Sequence, residues 1–403
     1  MIMKVFNKLL LIILLTISFS GYSQTIEQIG YYSVNGLFSL SSIPNYMVLG
    51  NGSLVDISNP SSPSLASNVS FSGFSTSVLV ENDYAYFGTG MNVQLIIADI
   101  SNLNFPLQVG YKHFPLQNDG VFGMAKKNDI LYLAMGIDGI FSVDVSNTTN
   151  PIVLDSLIIE NGQSRDVVTS GEYAYVAHGN GLKVLDISNP SSIELLTTIG
   201  GGYNCIDLNG NFVFLGKSSG GIDVFDITIP SSPAPVFSIP NSGGTAWDIK
   251  SKEDQIYLAT NSEGLYIYKF NSDSAVEMAS FANAGNGQSF SVALQDSLIL
   301  LSGLINGVAI LQYDSLGVVG IDSEKQFDQF KIFPNPAKDY IEFNPLEEEI
   351  TEIEVINSSG KTVLNLNFSN ANRLDISTLL PGNYILLFKG KQHIWRRRFI
   401  KID

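Results

Sequence analysis

Side chains that could do chemistry recur in this sequence at a nearly constant interval. The position of Asp186 in "GLKVLDI" has counterparts 40 to 45 residues apart: Asp56, Asp99, Asp144, Asp186, Asp226, Lys269 and Gln312. Carboxylates bind hard cations, but Ca²⁺ needs six to eight oxygens gathered in one place. These aspartates precede turns such as "ISNP", whose backbone N–H groups can donate to an Asp side chain. We therefore predict that this column is structural.

A second recurring column lies upstream of the first and mixes aromatic with polar residues. The residues that we predict to bind a ligand are Phe38, Phe122, Arg165, Asn204, Trp247 and Phe290, and Thr76 belongs to the same column. Arginine and aromatic side chains around a concavity are typical of surfaces that recognise proteins or sugars. Phenylalanine at the start of a strand is also typical of packing between sheets, so both interpretations stay open.

A metal site is a further hypothesis for three residues of neighbouring repeats. Asp166, Asn204 and Asp248 could hold Ca²⁺ if their side chains converge, with Asp166 and Asp248 as the charged ligands. The alternative for Asp166 is a local ion pair with Arg165. We expect no other cofactor.

Nucleophilic and acid–base catalysis have weaker support. The three histidines, His113, His178 and His393, neither recur nor pair visibly with a Ser or Cys. We expect His178, in "AHGNG", to be a loop residue and Cys205 to be a packed thiol. "GTG", "HGNG" and "SSGG" lack the strand-to-helix context of a phosphate-binding loop. The sequence therefore predicts no catalytic residue.

The elements that must position these columns are short strands. Each repeat of about 43 residues contains an apolar strand, an aromatic strand such as "YAYFG", the "GLKVLDI" strand and, after a Pro/Ser turn, a fourth strand. Four strands per period of 40 to 45 residues indicate the blades of a β-propeller. The seventh copy lacks its fourth strand, and "IEQIGYYSV" (26–34) precedes the first copy. We predict an all-β, seven-bladed ring that this N-terminal strand closes, because closure removes exposed edges.

In such a ring the first strands line a central channel. One column of these strands is apolar: Leu40, Val78, Met124, Val167, Ile206, Ile249 and Val292. The residue before each is small or polar, as a narrow channel needs: Ser39, Ser77, Gly123, Asp166, Cys205, Asp248 and Ser291. The column that contains Arg165 and Trp247 comes one step earlier. By analogy with propellers, we place it at the mouth of the channel.

The repeats "GLxVLDISNPSxP" and "GxYAYVAxGxxGL" resemble those of the LVIVD-repeat proteins, which are exported bacterial proteins predicted to fold as propellers. The resemblance covers residues 25 to about 315 and is strongest in the first five copies. It implies the propeller fold, but the family has no single agreed activity. The Gly-His/Trp-Asp signature of WD40 repeats is absent.

The two ends of the chain have a different character. A basic start, an apolar run at 9–17 and the small residues Gly21 and Ser23 are typical of a secretory signal peptide, residues 1–23, and the basic start consists of Lys4 and Lys8. After the propeller (25–318) and a linker (319–329), alternating strands at 330–403 predict a small β-sandwich. "FPNPAKD", "NSSGK" and "LLPGNYIL" in this order resemble the C-terminal sorting domain of the type IX secretion system of Bacteroidetes. The resemblance implies export across the outer membrane, removal of the tail, and release or surface attachment.

Charge separates these parts and limits the partners. Residues 25–329 contain 10 Lys+Arg and 29 Asp+Glu, whereas residues 330–403 contain 10 and 9. The acidic charge of residues 25–329 disfavours nucleic acid as a partner. No apolar run after the signal peptide is long enough to span a membrane. Two function classes remain open: a secreted or cell-surface module that binds an extracellular protein or glycan, and a propeller enzyme, a metal-assisted hydrolase or lyase, acting on an extracellular polymer.

Overall fold

The computed structural model describes residues 25–34, 37–71, 73–90, 94–115, 120–240, 244–282, 288–303, 307–314, 332–343, 350–357, 361–367, 373–390 and 394–402. The described residues form strands and turns without an α-helix, and therefore contain no helix that could cross a membrane. One compact unit spans Gln24–Leu316, and a second lies within Gly317–Asp403. The predicted signal peptide and linker fall outside the described residues.

The described strands of the first unit form seven four-stranded antiparallel sheets. Sheets 1 to 3 contain β2 (Leu40–Ile43), β3 (Tyr46–Leu49), β4 (Ser53–Asp56) and β5 (Ser64–Asn68); β6 (Ser75–Glu81), β7 (Tyr84–Thr89), β8 (Gln94–Asp99) and β9 (Leu107–His113); and β10 (Gly123–Lys127), β11 (Ile130–Ala134), β12 (Ile140–Asp144) and β13 (Ile152–Leu157).

The remaining sheets of this unit follow the same order, except that the last one takes its fourth strand from the N-terminal end. Sheets 4 to 6 contain β14 (Ser164–Ser170), β15 (Tyr173–His178), β16 (Gly181–Asp186) and β17 (Glu194–Ile199); β18 (Tyr203–Asn209), β19 (Phe212–Lys217), β20 (Ile222–Asp226) and β21 (Ala234–Ile239); and β22 (Ala246–Lys252), β23 (Gln255–Thr260), β24 (Gly264–Phe270) and β25 (Ala275–Phe281). Sheet 7 contains β26 (Ser289–Gln295), β27 (Leu298–Gly303), β28 (Gly307–Asp314) and β1 (Thr25–Tyr32).

The ring closes between β1 and β28, as the sequence predicts. Thr25 pairs with Asp314 and Tyr32 with Val308 in an antiparallel ladder. The first strand of each sheet contacts the first strand of the next, and β26 contacts β2. The all-β propeller fold is confirmed. Seven blades remain our prediction, because the seven sheets are counted among the described residues only.

Local sequence explains why each sheet begins with a tight hairpin. Two residues join the first and second strands, and one of them has a positive φ in all seven sheets, the second in sheet 1 and the first in the others: Asn45, Asn82, Asn128, Gly171, Gly210, Glu253 and Asp296. Asn and Gly tolerate this conformation best, and turns of this kind match the twist of the two strands. The second strands that follow are almost wholly buried, as in "YAYVAH" of β15, because a neighbouring sheet packs on each face.

The second unit packs two sheets face to face. Sheet 8 contains β29 (Ile332–Phe333), β30 (Tyr340–Phe343) and β33 (Arg373–Asp375). Sheet 9 has the order β32 (Thr362–Asn367), β31 (Ile350–Asn357), β34 (Gly382–Gly390) and β35 (Ile394–Lys401). Ile341 and Phe343 of sheet 8 share one buried cluster with Val355, Leu386 and Phe388 of sheet 9. This is the predicted β-sandwich.

Candidate functional site

The seven inner strands of the ring surround a cavity of about 730 Å³. Its lining comes from these strands and from the residues immediately before them. Side chains of a strand alternate between its two faces, and most of the predicted apolar column lies outside the cavity lining, although Leu40, Val78 and Met124 belong to it. Val167, Ile249 and Val292, for example, are 1% exposed or less. Most residues on either side of that column line the cavity, including Ser77, Asp166 and Asp207.

The predicted mouth column comes together in this cavity. All seven of its members line it: Phe38, Thr76, Phe122, Arg165, Asn204, Trp247 and Phe290. Five of them are the extra residue of a β-bulge, since the register of the first strand shifts there: Thr76, Arg165, Asn204, Trp247 and Phe290. A bulge leaves its residue outside the ladder and changes the direction of the side chain. The repeat period predicted that these residues share one location, but nothing in the sequence indicated the bulges.

Four aromatic rings form a continuous row at this level of the channel. Trp247 lies 5.0 Å from Phe290, Phe290 lies 5.4 Å from Phe38, and Phe38 lies 5.2 Å from Phe74, measured between ring centroids. Tilted and edge-to-face contacts of this kind add stability beyond the area that they bury. Trp247 is 38% exposed, whereas the three phenylalanines are less exposed. The row therefore supports an indole that solvent can reach.

The polar members of the mouth column are partly engaged with the protein itself. The guanidinium carbon of Arg165 lies 5.0 Å from the centroid of the Phe122 ring, a cation–π geometry. The amide of Asn204 donates to the carbonyl of Ala246 at 3.0 Å, and the hydroxyl of Thr76 donates to the carbonyl of Val121 at 2.7 Å. Both hydrogen bonds run to the following sheet, so these two residues also tie sheets together.

One step deeper, two carboxylates bridge neighbouring sheets. Asp166 accepts the N–H of Val167 at 2.9 Å and the N–H of Ile206, in the next sheet, at 3.1 Å. Asp248 likewise accepts the N–H of Ile249 at 2.8 Å and the N–H of Val292 at 2.9 Å. Burial raises the pKa of Asp166 to about 7, although the positive charge of Lys250 and the two N–H donors oppose this.

A lysine and a third carboxylate lie two residues further along the inner strands. The Nζ of Lys250 is 3.4 Å from Oδ1 of Asp248, and Asp207 accepts the N–H and the hydroxyl of Ser251 at 2.6 and 2.5 Å. Burial raises the pKa of Asp207. Burial alone would lower the pKa of Lys250, but the carboxylates of Asp248, Asp207 and Asp166 outweigh it and raise that pKa. The lysine thus stays charged and partly neutralises the carboxylates.

These contacts bear on the hypothesis of a Ca²⁺ site without deciding it. Both oxygens of Asp166 and of Asp248 already accept backbone N–H groups, and Asn204 uses its amide nitrogen in a bond to Ala246. Among the described residues, no group of three or more His, Cys, Asp or Glu is arranged to hold a metal ion. A Ca²⁺ bound by Asp166 and Asp248 therefore stays a prediction.

Sequence reasoning missed Asp207, Lys250 and Phe74, all of which belong to the cavity or its aromatic row. Asp207 and Lys250 stand two residues beyond Cys205 and Asp248, on the same face of their strands. The two-residue period of a strand could have identified them. Phe74 precedes β6, and nothing in the sequence indicates its contact with Phe38.

The remaining candidate residues have structural roles. The repeated aspartates accept the N–H of the residue two positions later, at 2.8 Å for Asp56, 2.9 Å for Asp99, 2.8 Å for Asp144 and Asp186, and 2.6 Å for Asp226. The predicted structural role of this column is confirmed. Cys205 is buried, as expected.

Of the histidines, His178 corrects our prediction. It is not a loop residue but the last residue of β15, and it is fully buried because Gly162 packs against its ring. Burial lowers the pKa of His178 to about 4, and the charge of Lys183 acts in the same direction. His113 is exposed on β9, and His393 lies outside the described residues.

Two protein families match parts of the chain. Residues 45–70, 72–111, 161–199 and 200–240 match the LVIVD repeat and correspond to sheets 1, 2, 4 and 5. Residues 331–402 match the secretion system C-terminal sorting domain. A search of the curated proteins found no match.

Solved structures share the fold at low sequence identity. A chain of the mitotic checkpoint complex is 14% identical, with a TM-score of 0.54 over 72% of this chain and 91% of that chain. The WD40 repeats of RRP9 are 11% identical, with a TM-score of 0.55 over 72% and 97%. The computationally designed Ika8 protein is 9% identical, with a TM-score of 0.51 over 93% and 100%. At these identities the likeness is one of fold alone. The chain is an LVIVD-repeat β-propeller protein with a type IX secretion system C-terminal sorting domain after the propeller.

Proposed function

We propose that this propeller is a secreted or cell-surface binding module that takes an extracellular protein or glycan at the mouth of its channel. One observation supports the binding role above all. The mouth column predicted to recognise a ligand lines a single cavity of about 730 Å³, within the range of ligand-binding pockets. The partly exposed Trp247 lies within it, and tryptophan and arginine dominate recognition surfaces.

The route to the ligand completes the proposal. Residues 1–23 direct the chain through the inner membrane of a Bacteroidetes cell as a signal peptide, and residues 330–403 engage the type IX secretion machinery. Removal of both ends then leaves the propeller outside the cell, released or attached. The sorting domain supports this route, since it is the part of the chain that matches a secretion family. No nucleic acid is expected as a partner, because the propeller is strongly acidic.

The binding role is tested by substitution at the mouth. Arg165→Ala and Trp247→Ala should each weaken binding of a captured extracellular ligand by about tenfold or more, while the melting temperature changes little because both side chains lie at the channel. Tyr111→Ala is the matched control, since Tyr111 is an exposed aromatic residue on the outer strand β9. Unchanged affinity in both mouth variants would place the site elsewhere on the propeller.

One observation favours an enzyme as the second candidate. The cavity contains three carboxyl groups, and burial raises the pKa of Asp166 to about 7, as enzymes do for a general acid near neutral pH. A hydrolase or lyase acting on an extracellular polymer would use such a group. The test is whether the purified protein degrades neutral or acidic polysaccharides, with and without added Ca²⁺. Degradation that is lost in Asp166→Asn would favour an enzyme over a binding module, and a requirement for Ca²⁺ would indicate that the reaction is metal-assisted.

A further inference from the structure

The charges that line the channel nearly balance, although a pKa of about 7 leaves the carboxyl of Asp166 partly protonated at neutral pH. Three carboxylates face the cavity, from Asp166, Asp207 and Asp248, together with three cationic groups, from Arg165, Lys250 and Lys252. A ligand with a full charge would leave one of these groups uncompensated in a partly enclosed site, which is costly. The lining therefore suits a ligand that is polar but neutral.

The same lining offers donors and acceptors side by side. Asp166 uses only one hydrogen bond on each carboxylate oxygen, although a carboxylate can accept about four. No described residue donates to Oδ1 of Asp207, whose Oδ2 accepts both bonds from Ser251. Ser41, Ser42 and Ser77 add hydroxyl groups from sheets 1 and 2. A hydroxyl of a ligand can donate to a carboxylate and accept from an ammonium or a serine at once.

An aromatic platform lies above these polar groups. The indole of Trp247 is 38% exposed, and Phe290 holds it at 5.0 Å in a row of rings that continues to Phe38. A ligand that covers the indole buries apolar area there, while its polar edge reaches the layer of Asp248 and Lys250. Pyranose rings combine these properties, because their C–H faces are apolar and their edges carry hydroxyls.

The outer charge of the propeller restricts the class further. Residues 25–329 carry 29 acidic residues against 10 basic ones, and a field of one sign repels polymers of the same sign. Polyuronic acids and sulfated glycans are therefore disfavoured before they reach the channel. A cationic glycan is attracted by the surface but meets Arg165 and Lys250 in the cavity.

We infer that the ligand of the channel is a neutral oligosaccharide, with one sugar ring stacked on Trp247 and its hydroxyls bonded to the carboxylates and Lys250 below. The inference rests on the proposed binding function and assigns the ligand class. A protein partner that inserts a side chain at the same mouth is the outcome to be distinguished from it.

Trp247 is itself the probe. The chain contains two tryptophans, Trp247 and Trp395, so Trp395→Phe leaves Trp247 as the single indole of an otherwise intact chain. Emission of this variant is recorded while neutral trisaccharides with glucose, mannose, xylose and galactose units are added. Chitosan trisaccharide and trigalacturonate are the charged counterparts. We expect a saturable shift of the emission with at least one neutral trisaccharide and none with its charged counterparts.

Binding of the same sugar is then measured by calorimetry in the native background. Trp247→Ala should lower the association constant by about tenfold or more, and Trp247→Phe should recover part of it because a ring remains. Tyr111→Ala should leave it unchanged. Binding of only the charged trisaccharides would overturn the inference. An association constant for the neutral sugar that Trp247→Ala leaves unchanged would also overturn it.

The two proposals fail in different ways. If no saccharide binds but an extracellular protein binds in a Trp247-dependent manner, the binding function stands and the sugar inference falls. If neither binds at the channel, both fall.

Discussion

At the scale of single residues, polar side chains of the inner strands join neighbouring sheets. Asp166 and Asp248 reach backbone N–H groups of the next sheet, and the hydroxyl of Ser39 donates to the carbonyl of Ser75 at 3.2 Å. Gly123 has a different role in the same column, because a Cβ there would overlap Asp166. Small or polar residues at these positions therefore serve the ring as well as any ligand.

The raised pKa of Asp166 determines the direction in which this residue changes the unfolding free energy as the pH rises. A folded pKa of about 7 against 3.8 means that the folded chain binds more protons than the unfolded chain between these values, so this group lowers stability as pH rises through that window. Asp166→Asn removes the effect. The unfolding free energy of the variant relative to the native chain should therefore increase between about pH 4 and pH 7 and stay level above.

Urea denaturation at a series of pH values measures this difference. The contribution of His178, whose pKa is lowered to about 4, is common to both proteins and cancels. Asp186→Asn is the control, because hydrogen bonds from Ser188 lower the pKa of Asp186. The unfolding free energy of Asp186→Asn relative to the native chain should fall as the pH rises to about 4 and stay level above that pH. A flat difference for Asp166→Asn would show that its carboxyl titrates normally.

Sequence periodicity predicted that the mouth column lies together, because the position of each residue follows from its place in a repeat. Arg165, Asn204 and Trp247 share one repeat position, and the ring turns a shared position into a shared location. Phe74 and the pairing of Lys250 with Asp248 depend on contacts between side chains, which the repeat does not encode. The β-bulges were also missed, since a register shift becomes visible only when the partner strand is known.

At the scale of elements, the pairing of β1 with β28 gives sheet 7 its fourth strand. Gly30 of β1 packs so closely on the carbonyl of Pro60, in sheet 1, that a Cβ would overlap it. Gly110 of β9 makes the same approach to Thr148 in sheet 3. The closing strand thus occupies the position of any other fourth strand, as predicted for "IEQIGYYSV" from its place before the first repeat.

Deletion of Thr25–Tyr32 should therefore open the ring. The loss removes the ladder to β28 and the burial of Ile26 and Ile29 against neighbouring strands, which together should cost several kcal/mol of unfolding free energy. A truncated protein that melts at the temperature of the intact one would contradict closure by β1.

A single methyl group offers a milder test of the same closure. Gly30→Ala should lower the melting temperature, because the added Cβ meets the backbone of Pro60. Gly200→Ala is the matched control, since a Cβ at Gly200 has open space around it. Equal melting temperatures of the two variants would mean that β1 packs loosely on sheet 1.

At the scale of the whole molecule, the chain combines an acidic propeller with a sorting domain of nearly balanced charge. The sorting domain has its own buried cluster and its own two sheets. Its last strand, β35, pairs along its whole length with β34, and the N–H of Ile400 donates to Asn335 at 2.9 Å. We therefore expect the domain to fold without the propeller.

We predict that this domain exports an unrelated cargo. Residues 320–403, fused behind a secretory signal and a fluorescent protein in a Bacteroidetes host, should carry the cargo to the cell surface or the medium. A fusion that stops at Gln392 lacks β35 and should stay in the periplasm, because sheet 9 loses its edge strand. Cell fractionation with fluorescence measures both. Surface delivery of a propeller without the tail, or retention of the full fusion, would contradict the prediction.

The pairing of β1 with β28 also sets an order in time. Synthesis makes β1 before every other strand of the ring, yet its partner is the last strand of the ring to be made. Closing a loop of this length is entropically slow, and topologies with distant pairings fold slowly. Until that moment β1 is an unpaired edge, open to chaperones or to another chain. The ring of this exported propeller can therefore close only after β28 has been synthesised, shortly before the sorting domain that follows it in the chain.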